Sequence, residues 1–265
     1  QHTDGAEPPI HLFGGRPPEG STGGKTAAAG QSLPRTIGRG CRRALGVDVA
    51  RYGSDFTVFI VVDALDTPET AGNENRVFAQ LRFIRHREKK GVVEVAAEAG
   101  HLAREWEADV VAVDDTGVGG GVTDLLVEAG LETLPVLFGG ATSDAQTFVN
   151  LKAEIFWGLR RAFEAGIVSL DSSGGEVPKL EMDSLIGQLS AMKYEFKPKG
   201  IRIVDPDEAG RRTPGGATQG PMRSPDHAHS FALAWWAACG VSAAESVLLN
   251  DSRESGRYAR RRFYW

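Results

Sequence analysis

Two cysteines in 265 residues, Cys41 and Cys239, stand far apart and without metal-ligand spacing, which argues against both a disulfide scaffold and a zinc site. That scarcity fits a reducing compartment. No apolar run approaches the roughly 20 residues of a membrane span, and the polar start excludes a secretory signal, so the chain is expected to be soluble. Nor is there an excess of positive charge: 30 Lys and Arg against 35 Asp and Glu give a net charge of -5 and a pI near 5.7. Such a chain lacks the global basic footprint of an autonomous nucleic-acid binder, so any contact with nucleic acid must be local or helped by a partner. The first residue is Gln1 rather than Met, which suggests a processed product or part of something longer.

What is present, at 41% hydrophobic residues, is enough apolar content for one full core. Residues 1–42 are rich in Gly, Pro, Ser and Thr and read as a flexible leader or linker. Within them Gly23-Gly24-Lys25-Thr26 echoes the end of a phosphate-binding loop. The position of its first glycine holds Glu19, however, and no apolar strand precedes it, so a real P-loop is not expected. Ordered structure is expected over 43–243, followed by a basic tail over 244–265.

Leu45 to Ala50 and Phe56 to Ala64 read as a hairpin about Gly53-Ser54-Asp55, and Val77, Ala79, Leu81 and Phe83 alternate with Gln80 and Arg82 as a third, half-exposed strand. Helical spacing from Val92 to Trp106 leads to a strand over Val110 to Val113. A second helix about Val122 to Ala129 leads to a strand over Leu134 to Phe138. Three strands, helix, strand, helix, strand is the order of an RNase H-like α/β fold, a mixed central sheet of three antiparallel strands then parallel ones flanked by helices, and the same order also admits other α/β folds with an initial hairpin. Beyond it, Phe148 to Phe163 and Met182 to Leu189 mark two more helices. Tyr194 and Phe196 face Ile201 and Ile203 in a small added β-hairpin. Residues 205–224 form a Gly/Pro/Arg-rich loop ending at Ser224-Pro225, a helix N-cap followed by a proline at the first helical position. The helix through Phe231, Leu233, Trp235 and Trp236 is apolar nearly all round and should be buried.

Acids that break this pattern carry the chemistry. Asp48 interrupts a core strand, where an ionised carboxylate is costly unless it is paired, hydrogen-bonded or on a metal; the plain alternative is that it ends the strand and binds turn amides. Asp114 and Asp115 end the fourth strand before a glycine-rich loop, Gly117 to Gly121. Neighbouring strand side chains point to opposite faces, so at most one of the pair shares the face of Asp48. Asp114 is assigned that place, and Asp115 is read chiefly as a cap or turn acid. The glycines suit either a phosphate or a close strand-helix junction. Asp226 lies in the first turn of the last helix, where a dipole role would suffice, with His229 three residues on. Acids at these three places converge in an RNase H-like fold. Three carboxylates suit two divalent cations, and hard oxygen ligands favour Mg2+ or Mn2+.

Gly46-Val47-Asp48-Val49-Ala50-Arg51-Tyr52-Gly53-Ser54-Asp55 resembles the opening motif of the C-terminal nuclease domain of phage terminase large subunits, in the RNase H-like (RuvC-like) superfamily, and Val113-Asp114-Asp115-Thr116-Gly117-Val118-Gly119 resembles its second. Asn150-Leu151-Lys152-Ala153-Glu154 is similar to a further segment, and Ser224-Pro225-Asp226 to the third acidic motif; the resemblance covers about residues 44–240. It implies an endonuclease that cuts concatemeric viral DNA during packaging, with Asp48, Asp114 and Asp226 as catalytic metal ligands. It implies as partners double-stranded DNA, the ATPase motor domain, the small terminase and the portal, in the cytoplasm of a phage-infected or prophage-carrying bacterium. His229 stands where related chains often carry another Asp and is a possible ligand; Asp115 and Asp55 are secondary candidates. Val204-Asp205-Pro206-Asp207 stands where relatives tend to carry a basic residue. Arg211, Arg212 and Arg223 are candidate DNA contacts. Residues 1–40 cannot form the motor, so nuclease activity without translocation is expected. The rivals are an actin-like or sugar-kinase-like ATPase, for which no second nucleotide-binding half is found, a Holliday-junction resolvase, and a non-catalytic packaging or portal-docking module.

Overall fold

The structure is a computed structural model that describes residues 42–50, 56–66, 77–88, 90–171, 175–211 and 224–239. The glycine turn with Asp55, residues 1–41 of the leader, Arg212, Arg223 and the basic tail lie outside the described residues, as does the side chain of Arg211, whereas Arg42, read as the end of the leader, already belongs to the first strand.

The elements are β1 (Arg42–Asp48), β2 (Phe56–Asp66), β3 (Val77–Glu88), α1 (Val92–Glu105), β4 (Val110–Asp114), α2 (Gly119–Glu128), β5 (Thr133–Val136), α3 (Leu151–Glu164), β6 (Val168–Ser169), α4 (Lys179–Ala191), β7 (Lys193–Lys197), β8 (Gly200–Val204) and α5 (Pro206–Arg211). A last helix, α6, occupies 226–239. The main sheet has the order β5-β4-β1-β2-β3-β6. The pairs β1/β2 and β2/β3 are antiparallel, and β1/β4 and β4/β5 are parallel. This is the expected mixed sheet. Beyond it, β6 pairs in parallel with β3 through Ala79 and Gln80, a two-residue edge too short for any periodicity to announce.

Period-2 alternation divides the core into two layers. Ala44, Val58, Ile60, Val110 and Ala112 pack with α3 and α6, while Leu45, Val47, Phe59, Val111 and Val113 pack with α1 and α2. The α6 helix is buried as its composition requires, with Phe231 and Leu233 fully enclosed. It lies directly on β1: a Cβ on Gly46 would sit 2.1 Å from the Ser230 carbonyl oxygen and 2.7 Å from the Ala234 nitrogen. Ser230 donates its hydroxyl to the carbonyls of Gly46 (3.0 Å) and Val58 (3.1 Å), which fixes the helix over the β1/β2 seam. Gly46→Ala must therefore push helix backbone away from sheet backbone. A loss of about 3 kcal/mol or more is expected in urea unfolding, and a loss below about 0.5 kcal/mol would contradict this packing.

Some elements differ from their periodicity. Arg82 is buried rather than on an exposed face, because Asp63 on β2 lies 3.4 Å from its Nε while also binding the buried Arg43 through Nε (2.5 Å) and Nη2 (3.0 Å). Phe148 is apolar at helical spacing, yet α3 starts only after Asn150, whose side chain accepts the Ala153 N–H at 3.0 Å. Phe148 instead bridges to Ile201 of the β7/β8 hairpin, which forms its own two-stranded sheet. The 205–224 segment is not loop throughout, since it opens with α5. Among the described residues no helix is long and apolar enough to cross a membrane.

Candidate active site

Adjacent parallel strands β1 and β4 are in register through Val47 and Val113, so Asp48 and Asp114 follow side by side at their carboxyl ends. Both continue the even-numbered face that packs on α6, by the alternation of the strand. Asp115 takes the other face: its carboxylate accepts the Thr123 hydroxyl of α2 at 2.7 Å, and its N–H donates to Val136 of β5. The following glycines make a close junction. A Cβ on Gly119 would fall 1.7 Å from the Asp114 carbonyl oxygen, so the helix can start this near the strand end only without a side chain there.

Burial foremost, and then the charge of Asp48, raise the Asp114 pKa above its ordinary value, against the bond from Thr116 and the charge of His229. These two carboxylates repel each other, and a hard divalent cation between them would remove that repulsion. Such an ion fits the all-oxygen donor set.

Asp226 stands at the start of α6 at the same end of the sheet. Pro225 falls just outside the helix rather than at its first helical position, though its carbonyl already accepts the His229 N–H at 3.0 Å. The Asp226 carboxylate reaches beyond its own helix: Oδ2 accepts the N–H of Phe56, the first residue of β2, at 2.9 Å. The three acids share one corner without meeting at a point. Among the described residues, the one group of three potential ligands with all its atoms within 4.8 Å is His86, Glu181 and His227.

His229 comes into direct contact with this corner. Its Nδ1 lies 3.2 Å from Asp48 Oδ2, and its Nε2 lies 3.4 Å from Asp205 Oδ1 and 2.9 Å from Lys152 Nζ. Lys152 in turn binds both oxygens of Asp205, at 2.6 and 2.5 Å. Burial and the charge of Lys152 oppose a proton on His229. The bonds to Asp205 and Asp48 outweigh them and hold the imidazole pKa at about 9. Burial also opposes charge on Asp205, but the bond and charge of His229, with Lys152, hold it well below the usual carboxylate range. Asp48, His229, Asp205 and Lys152 thus form a chain of alternating acidic and basic groups, walled by the rings of Phe138 and Phe156 at 5.2 and 5.9 Å from the His229 ring. Lys152 sits over the same rings at 5.5 and 5.9 Å, where a cation is stabilised by their faces.

Sequence reasoning names Asp205 only as a departure and Lys152 only as part of a motif. It assigns no role to Glu154, which is buried and anchors the loop after β5 by accepting from the Thr142 hydroxyl (2.5 Å), the Ser143 N–H (2.8 Å) and the Ser143 hydroxyl. A buried acid on an amphipathic helix, and a proline-bounded acid after a strand, are the signals that could have found them.

Strand order, register and the placement of acids define an α/β protein of the RNase H-like fold. Among solved structures it is similar to the nuclease domain of the large terminase subunit of bacterial virus Sf6. The calcium form superposes with a TM-score of 0.57, the form with manganese and beta-thujaplicinol with 0.55, and a third structure of that domain with 0.53. Each is 16% identical and covers 74% of this chain and 88% of the other. No protein-family model and no curated protein matches the sequence.

Proposed function

We propose that this chain is a divalent-metal-dependent DNA endonuclease of the terminase large-subunit kind. One observation carries the reading: Asp48 and Asp114 end adjacent parallel strands on one face, near enough that the charge of one raises the pKa of the other. The likeness to a terminase nuclease domain supports it.

In this reading Asp48, Asp114 and Asp226 hold two cations, Mg2+ or Mn2+, which when bound would supply an activated water and stabilise the leaving oxygen of a phosphodiester. Asp48 and Asp114 present their carboxylates from the rigid sheet. Asp226 is fixed at the start of α6 by its bond to the Phe56 N–H. Asp115, spent on Thr123, stays outside the set. His229 keeps a proton against Asp48, so cation binding by Asp48 is linked to loss of that proton. Phe138 and Phe156 exclude water behind it. Double-stranded DNA is the proposed substrate, cut during packaging in an infected bacterium, with the ATPase motor, small terminase and portal as partners.

The test is manganese-dependent nicking of supercoiled plasmid by the full chain. A folded protein that neither binds manganese nor nicks would overturn the proposal.

Arg211, Arg212 and Arg223, in the segment that leads into Asp226, are proposed to hold backbone phosphates. Replacing all three by Ala should weaken DNA binding and reduce its salt slope by about 2 to 3, near one per lost phosphate contact. An unchanged slope in a salt titration would remove them from the interface.

A further inference from the structure

We propose that His86, Glu181 and His227 form a separate metal site, for a divalent ion of the zinc class, that fastens β3, α4 and α6 beside the acidic corner. This rests on the side chains themselves and not on the nuclease reading. His86 Nδ1 lies 2.6 Å from Glu181 Oε1, and His227 Nε2 lies 2.7 Å from Glu181 Oε2. Both carboxylate oxygens are thus shared between two imidazoles, and all three ligand atoms fall within 4.8 Å of one another. The residues come from a strand and two helices far apart in sequence, so tertiary packing sets their spacing.

The donor set selects the ion. Two nitrogens and one carboxylate suit zinc, cobalt(II) or nickel, whereas magnesium demands an octahedral shell of oxygens and keeps its waters. The all-oxygen acids at Asp48 and Asp114 have the opposite preference, so the two places would sort metals by donor chemistry. Access is also provided. His227 is buried, while His86 is half-exposed on the wall of an open cleft lined by Arg85, Glu176 and Pro178. That cleft gives an ion an entry path and leaves room for water as a further ligand.

Gln188 of α4 orients His227. Its Oε1 accepts the backbone N–H groups of His227 (2.8 Å) and Ala228 (3.0 Å), which directs its amide nitrogen to His227 Nδ1 at 3.4 Å. In the metal-free protein the proton of neutral His227 therefore sits on Nε2 and is donated to Glu181. An ion at Nε2 moves that proton to Nδ1, where it faces an N–H donor across a contact longer than an ordinary hydrogen bond. Residue 188 is thus the control on affinity. A glutamate there would keep one oxygen for the two backbone N–H groups and offer the other to the Nδ1 proton, the carboxylate-histidine-zinc arrangement.

The experiment titrates zinc against a chromophoric chelator, and records the visible cobalt(II) spectrum, on the full chain carrying Asp48→Asn and Asp114→Asn. One equivalent should remain bound in that background. Its affinity should fall about 100-fold in His86→Ala or Glu181→Gln and rise about 10-fold in Gln188→Glu. His86→Ala decides the matter if Glu181→Gln fails to fold, because His86 is the half-exposed member of the group. Absence of a bound equivalent, or one unchanged by His86→Ala, overturns the site. A Gln188→Glu variant that binds no tighter overturns His227 Nε2 as a ligand. Nicking is not read, so failure of the nuclease proposal leaves these outcomes intact.

Discussion

Asp48→Asn and Asp226→Asn should each lower manganese-dependent plasmid nicking by at least about 100-fold, since loss of a direct ligand exceeds the loss seen for groups that only orient one. The fold should survive both. An Asn at 226 still offers a side-chain oxygen to the Phe56 N–H, and an Asn at 48 still fits the strand end. Asp114→Asn separates chemistry from stability more sharply. Burial and the charge of Asp48 raise the pKa of that acid, so its ionised form opposes folding, and a neutral amide should raise the melting temperature of the chelator-treated protein. Activity and stability then move in opposite directions. Asp115→Asn is the control: the amide oxygen still accepts the Thr123 hydroxyl, so melting and nicking should both stay near the parent values. Full nicking by either the Asp48 or the Asp226 variant would end the two-cation assignment. A fall in melting temperature for Asp114→Asn would show that the acid serves the fold.

A pronounced pH dependence should follow from the chain Asp48, His229, Asp205 and Lys152. His229 has a folded-state pKa of about 9 against an ordinary 6.5. A raised histidine pKa stabilises the fold fully below the unfolded value, and the contribution is lost as pH rises through the folded value. Metal-free protein should therefore lose melting temperature between pH 6.5 and about 9, and His229→Ala should flatten that window. Asp205→Asn removes a partner that favours the imidazolium and should move the loss to lower pH. Lys152→Met removes a charge that opposes it and should move the loss to higher pH. Manganese affinity should rise over the same range in the parent, because a cation on Asp48 competes with the His229 proton. Melting curves and calorimetric titrations in two buffers of different ionisation enthalpy would measure both effects. A parent protein whose stability is flat from pH 6.5 to 9 would show that His229 is neutral in the fold.

Much of the architecture is legible along the chain because each signal is local. Apolar spacing marks α1, α2 and α4, and alternation marks the face on which each strand residue lies, which is enough to separate Asp114 from Asp115. Where one residue has two masters, the pattern misleads. Phe148 fits a helix by spacing but serves the hairpin, and Arg82 fits an exposed strand face but answers Asp63 across the sheet. An ion pair between strands leaves no trace in the period of either.

By itself, then, the sequence determined the order of β1 to β5 with α1 and α2 between them, the burial of α6, and the placing of Asp48 and Asp114 at strand ends on one face. Period and polarity are properties of short windows, and a mixed sheet of this order has few ways to close. Only the tertiary structure decided which groups those acids meet. Lys152 and Asp205 reach His229 from α3 and from the end of β8, and His86, Glu181 and His227 gather from three elements. The physical reason is range: a hydrogen bond or ion pair acts over about 3 Å in space whatever the separation along the chain. Its partners are therefore chosen by the packing of the sheet and helices and by no local pattern of residues.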